Sequence, residues 1–254
     1  MTLETGTLAA SVAMAAAAGV VGSFAVMRRM TLAADAISHV ALPGIGIALA
    51  LRINPLIGAA AMLFFGALLI WAVERRTRMA AETVIGVVFS TALAVGSLMS
   101  SGEDLIDALF GGPGKLGAGE LAFGAAASVA VVLFILVQKD RLVLALVSPE
   151  IARTTGIDTA RLELLFLETF ALTIALGLRY LGVLLMGSLI IVPAATARRV
   201  SNSLSGMLVT AVAVAVLSTV AGTGLAFLLR RPPGPVIICA AGGLFLLSLL
   251  RRRT

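Results

Sequence analysis

Apolar runs close to the length of a bilayer crossing recur along this whole chain, set apart by short charged clusters. A helix needs roughly 20 apolar residues to cross the hydrocarbon core. Inside lipid each backbone polar group must be satisfied within its own segment, so a chain built of such runs folds as membrane helices. Nine candidate spans emerge: 7–27, 33–51, 55–73, 83–101, 118–137, 162–178, 180–197, 206–229 and 234–250. The pair 162–178 and 180–197 is nearly continuous, so eight spans also fit. The expected fold is all-α, a polytopic membrane helical bundle. Composition agrees: 60% of the 254 residues are hydrophobic, 13% are charged, and mean hydropathy is +1.10. Soluble domains are about half apolar and about a quarter charged. The 26 glycines and many alanines let helices approach closely. Without an internal repeat or a low-complexity linker, one integrated domain over 1–254 is the simplest division.

The bases set the orientation. With the N-terminus outside, the inner loops hold Arg28, Arg29, Arg75, Arg76, Arg78, Lys139, Arg141, Arg153, Arg161, Arg198, Arg199 and Arg251 to Arg253. Only Arg52, Lys115, Arg179, Arg230 and Arg231 remain outside. Cytoplasmic loops collect Lys and Arg, so this bias predicts an outside N-terminus and a cytoplasmic C-terminus. The net charge of +6 is thus a matter of topology, and no aromatic-basic patch points to nucleic acid. The N-terminal run follows an acid and no base, which reads as a retained span rather than a secretory signal. The single cysteine, Cys239, lies in an apolar run and reads as a small buried hydrophobe.

The stretch "DAISHVALPG", 35–44, holds the only histidine, His39, four residues after Asp35. Residues i and i+4 share a helix face. Ionisable groups within a bilayer cost about 2.5–3.5 kcal/mol each on insertion scales, and they usually face a partner or a water-filled path. Imidazole and carboxylate suit zinc, manganese or iron. The same spacing also fits plainer roles, with Asp35 stabilising a helix start and His39 satisfying a carbonyl. Pro43 and Gly44 are a candidate helix break. Two side chains do not fill a metal shell, so any site here needs water, a symmetry mate or other residues. An incomplete shell also suits an ion that must leave again.

Two further acids stand out. Glu168 lies mid-span in "LELLFLETFALTIALG" and is expected either to line a pathway or to pair, with Arg179 as the candidate partner. Glu82 starts a span near the inner surface, where it can stabilise the helix start or serve the path. The longest inner loop, 138–161, contains "SPEIARTTG". Ser148 can cap a short helix there, Pro149 suits its first turn, Glu150 faces its positive end and Gly156 can stop it. That helix, about 148–157, is either interfacial or a docking element. The outer loop 101–117 is acidic and rich in turn residues. No GxxxxGK[ST] loop and no HExxH occur, so neither ATP hydrolysis nor zinc proteolysis is written in this chain.

Several stretches together resemble the integral-membrane permease subunit of ABC importers for zinc, manganese and iron. They are "VMRRMTLAADAISHVALPGIGIALAL", "AETVIGVVFSTALAVGSLM", "LFGGPGKLG", "SPEIARTTGID", "LGVLLMGSLIIVPAATAR" and "RRPPGPVIICAAGGLFLLSLL", in family order from about residue 5 to 250. The resemblance implies a homodimer with the ion path between two copies, in a bacterial plasma membrane. It implies a cytoplasmic ABC ATPase dimer that uses the ATP, and an extracytoplasmic metal-binding protein that delivers the ion. Asp35 and His39 match the family's polar pair. Glu150, Ala152 and Gly156 match its coupling segment. A divalent metal ion is then the substrate, and no stably bound cofactor is expected. An ion-coupled secondary carrier using Asp35, Glu168 and His39, or an ABC permease for iron chelates, are the competing readings.

Overall fold

The computed structural model describes residues 2–30, 33–77, 79–99, 117–181 and 183–250. The acidic outer loop lies outside the described residues, apart from Gly117. Among those described, every regular element is helical. In chain order they are α1 (Thr2–Met27), α2 (Ala33–His39), α3 (Ala41–Ala50), α4 (Pro55–Thr77), α5 (Ala81–Met99) and α6 (Ala118–Val147). There follow α7 (Pro149–Thr154), α8 (Thr159–Leu181), α9 (Val183–Val200), α10 (Leu204–Leu229) and α11 (Pro233–Leu250).

Seven segments are long and apolar enough to cross a membrane: most of α1, the α2–α3 pair taken together, α4, α5, α6, α10 and α11. The remaining two expected spans are α8 and α9. They have 23 and 18 residues, but Arg161, Glu163, Glu168 and Arg179 dilute one, and Arg198 and Arg199 the other. Both pack against α1. The first runs to Leu181 and the second begins at Val183, each bound a little later than expected.

Helix α1 is the hub, touching α6, α8, α9 and α10. In its most apolar stretch 78% of the residues are buried. Small residues make this possible. A Cβ on Gly19 would come within 2.9 Å of the Ala211 carbonyl oxygen of α10, and one on Gly22 would collide with the Ile190 carbonyl of α9. Large apolar side chains instead populate the perimeter, as at Leu98 (87% exposed) and Phe227 (81%). Exposed leucine and phenylalanine are at home in lipid, where association rests on close packing rather than on escape from water.

The helix ends are fixed by local chemistry. Ser203 caps α10 by accepting the Gly206 N–H at 3.1 Å. Asn54 accepts the Leu56 N–H at 2.9 Å as Pro55 opens α4. Arg230 takes the left-handed conformation that ends α10, and α11 begins at Pro233. Side chains also align the two ends of the bundle. Arg198 donates to the Val26 carbonyl at 3.0 Å, and Arg199 donates to the carbonyls of Ser248 and Leu249, in the last turn of α11, each at 3.1 Å. The Trp71 indole N–H donates to the Ala160 carbonyl at 3.0 Å. These contacts gather the ends of α1, α4, α9 and α11 and the start of α8 at one basic end. At the far end Arg179 of α8 meets Glu120 of α6 at 3.2 Å.

Two expectations fail here. Cys239 is exposed on α11, not buried. That helix offers few residues inward, among them Ile237, Ala241 and Ser248, so one apolar run does not tell which face is covered. Arg179 pairs with Glu120 rather than Glu168, because eleven residues of α8 separate it from Glu168 while α6 starts beside it.

Candidate functional site

The α2–α3 segment is one span with a tightened turn in its middle. Proline at 43 has no N–H to give to the carbonyl four residues earlier, and its ring crowds that carbonyl. The carbonyl belongs to His39. The regular α-helical hydrogen bonding lapses only at Val40, whose φ of −63° and ψ of −18° stay right-handed helical while its N–H turns back to the Ile37 carbonyl at 2.9 Å. Pro43 thus sits in the first turn of α3, where a missing N–H costs little. Gly44 has a different task from interruption. It faces Gly58 of α4, and a Cβ on either would collide with the other's carbonyl oxygen. The tightened turn therefore lies just ahead of the Pro-Gly pair, next to the histidine.

Asp35 is exposed in the first turn of α2, and its carbonyl accepts the Ser38 hydroxyl at 2.6 Å. Its other neighbour is Gly187 of α9, where a Cβ would lie 3.1 Å from the Asp35 Cα and 3.2 Å from its Oδ1. Gly187 is eleven residues from Arg198 at the basic end, which is about 16 Å of helix rise. Asp35 therefore lies beside α9 about 16 Å of helix rise from Arg198.

His39 is half-buried, with its ring tilted 59° against Phe89 of α5 at 5.6 Å between centroids. Its Nδ1 is buried and has no hydrogen-bond partner. A buried ring nitrogen without a partner is rare, and in metal sites one imidazole nitrogen binds the ion while the other is oriented by its surroundings. Among the described residues no three or more His, Cys, Asp or Glu side chains gather into a group able to hold a metal ion. One chain thus offers an imidazole and a carboxylate, and the rest of any shell must come from elsewhere.

The other sequence candidates lie apart from this pair. Glu168 is half-buried on α8, with Oε2 buried and unpartnered. Glu82 is exposed in the first turn of α5, seven residues from Phe89, or about 10 Å along the helix. In the inner loop, α7 runs Pro149–Thr154, a little shorter than the expected 148–157. Ser148 makes no side-chain cap, and its backbone carbonyl accepts the Ala152 N–H at 3.0 Å instead. Glu150 is exposed, Ala152 is fully buried, and Gly156 ends the turn at φ +80° with open space around it. A side chain at that φ is strained, which explains the glycine.

Sequence reasoning missed Gly187 as a site residue and Phe89 as the wall against the imidazole. Gly187 stands in "LLMGSLIIVP", but nothing local reveals that its bare Cα is needed by another helix.

Arg28 and Glu163 meet at 3.4 Å at the basic end, and the guanidinium lies 4.8 Å from the Phe166 ring centre. Burial pushes Arg28 below its ordinary pKa, while the charges of Glu163 and then Glu74 pull it back.

Known proteins give this geometry its context. The membrane protein of a high-affinity zinc uptake system in Haemophilus influenzae, ZnuB, is 30% identical over 91% of this chain and 90% of its own length. The membrane protein of a manganese transport system in Listeria monocytogenes, MntC, is 29% identical over 96% of this chain and 88% of its own. Among solved structures, PsaBC from Streptococcus pneumoniae in complex with a Fab superposes with a TM-score of 0.84 at 25% identity, covering 98% of this chain and 91% of that one. The pattern of the ABC 3 transport family matches residues 3–252. With nearly its whole length matched, this multi-pass membrane chain belongs to the ABC 3 transport family.

Proposed function

We propose that this chain is the membrane permease of an ATP-driven importer of divalent metal ions, with zinc and manganese first and ferrous iron a further candidate. The observation that carries the reading is the His39 turn. An imidazole whose buried Nδ1 has no hydrogen-bond partner among the described residues stands one turn from an exposed carboxylate, just before the tightened turn at Val40. In hydrocarbon such groups are costly unless they meet an ion, water or each other.

Two ligands from one chain bind a divalent ion weakly. A second copy would bring its own Asp35 and His39 and complete a four-ligand shell, which is why we place the path between two copies. Weak holding by each half lets the ion move on once the halves separate. Energy enters from cytoplasmic ATPase subunits on α7, where Glu150 is available for contact and the buried Ala152 anchors the helix to the bundle. An extracytoplasmic binding protein delivers the ion at the far end. Alternating access then consists of opening the Asp35–His39 turn to one side at a time.

The test is reconstitution in liposomes with the ATPase and the delivery protein. Uptake of zinc or manganese should require all three components and ATP. Full uptake by this chain alone, driven by an ion gradient and indifferent to ATP, contradicts the proposal.

A further inference from the structure

Helix α7 packs against α8, and α8 packs against α2, which carries Asp35 and His39. Two anchors hold the start of α8. Trp71 of α4 donates its indole N–H to the Ala160 carbonyl at 3.0 Å. Arg28 reaches Glu163 at 3.4 Å and lies over Phe166 at 4.8 Å. The Arg28 side chain is only 11% exposed, whereas Glu163 is 32% exposed.

Arg28 is also the first residue after α1, in the turn that leads toward α2. Its neighbour Arg29 adopts φ +60°, unusual for a residue with a side chain, and the Met30 N–H returns to the Ala25 carbonyl at 2.9 Å. The turn is thus locally wound rather than slack. A cavity of about 660 Å³ at the α7–α8 corner is lined in part by Glu74, Arg153, Asp158 and Glu163. The cavity gives the α7–α8 corner room to move. The Arg28 guanidinium has no such room, because a charge this buried cannot leave its partner without a large desolvation penalty.

Resting on the transport reading above, we propose that Arg28 and Glu163 form a joint that passes displacement of α7 and the start of α8 to the α1–α2 turn, and so to Asp35 and His39. They are positioning residues. Neither touches the ion. When α7 moves, Glu163 moves with the first turns of α8, and Arg28 follows because its ionic partner Glu163 and its ring contact Phe166 both lie on α8. Trp71 supplies the fixed point on α4 about which the corner turns.

The experiment uses the assembled complex in liposomes, with metal uptake and ATP hydrolysis measured together. Spin-label distances between α7 and α2 are measured with and without ATP. Glu163→Gln preserves shape and removes the charge. It should leave ATP hydrolysis within about twofold and lower metal moved per ATP about tenfold, within the range that changes along a coupling network produce. In that variant α7 should still shift on ATP binding while α2 stays put. The exchange R28E/E163R should recover a substantial part of the lost coupling. Wild-type stoichiometry and wild-type α2 movement in Glu163→Gln overturn the joint. Failure of Glu163→Gln to assemble also overturns it, because the pair is then a folding element. A wild-type complex that moves no metal defeats the transport reading instead, and that control separates the two failures.

Discussion

Asp35–His39 and Glu168 both place ionisable groups within membrane helices, yet their surroundings differ in kind. The first pair sits just before a tightened helical turn, with one exposed carboxylate, one ring nitrogen without a partner among the described residues and a glycine on the facing helix that lets the backbones close in. Glu168 sits in an unbroken helix, and its buried Oε2 has no hydrogen-bond partner among the described residues. The contrast teaches that an acid in a span is not by itself a transport site. On the transport reading proposed above, what marks one is the coincidence of the ionisable group with a tightened turn and a close helix approach.

Substitution can break that contrast or sharpen it. The largest effect is expected for Asp35→Ala or His39→Ala. Each should lower uptake about 10- to 100-fold, as loss of a metal-site group commonly does, while the complex assembles normally. Gly187→Val comes next. Its side chain would press on the Asp35 backbone, so uptake should fall several-fold while the apparent metal preference stays the same. Glu168→Gln should do least, leaving uptake within about twofold. A neutral amide in hydrocarbon is cheaper than a carboxylate, so this variant should melt no lower than the parent in detergent. If Glu168→Gln abolished uptake and His39→Ala did not, the two regions would have to exchange roles.

Much of the fold was legible because it rests on one-dimensional quantities. Run length and the spacing of bases located the helices, with ends displaced by a few residues and α6 extended by ten. The tightened turn was legible in kind, since Pro43 acts on the carbonyl four residues earlier, but its position beside His39 follows only when that reach is counted. Burial was not legible. Helices α1 and α11 look alike in sequence, yet 78% of one apolar stretch is buried against 11% of the other. The covered face is decided by which helices arrive beside it. For the same reason Cys239 came out exposed, and Arg179 found Glu120. The neighbour that presses on Asp35, Gly187, lies more than 150 residues away in sequence. The Asp35–His39 pair itself was legible because the chain has one histidine and the i, i+4 rule needs no partner helix.

The central claim is that Asp35 and His39 contact the ion during transport. X-ray absorption on the zinc-loaded complex, held without ATP, tests it most directly. The account predicts imidazole nitrogen at about 2.0–2.1 Å from zinc in the parent protein and its disappearance in His39→Ala. An unchanged imidazole signature in both cannot come from the only histidine of this chain, and would contradict it.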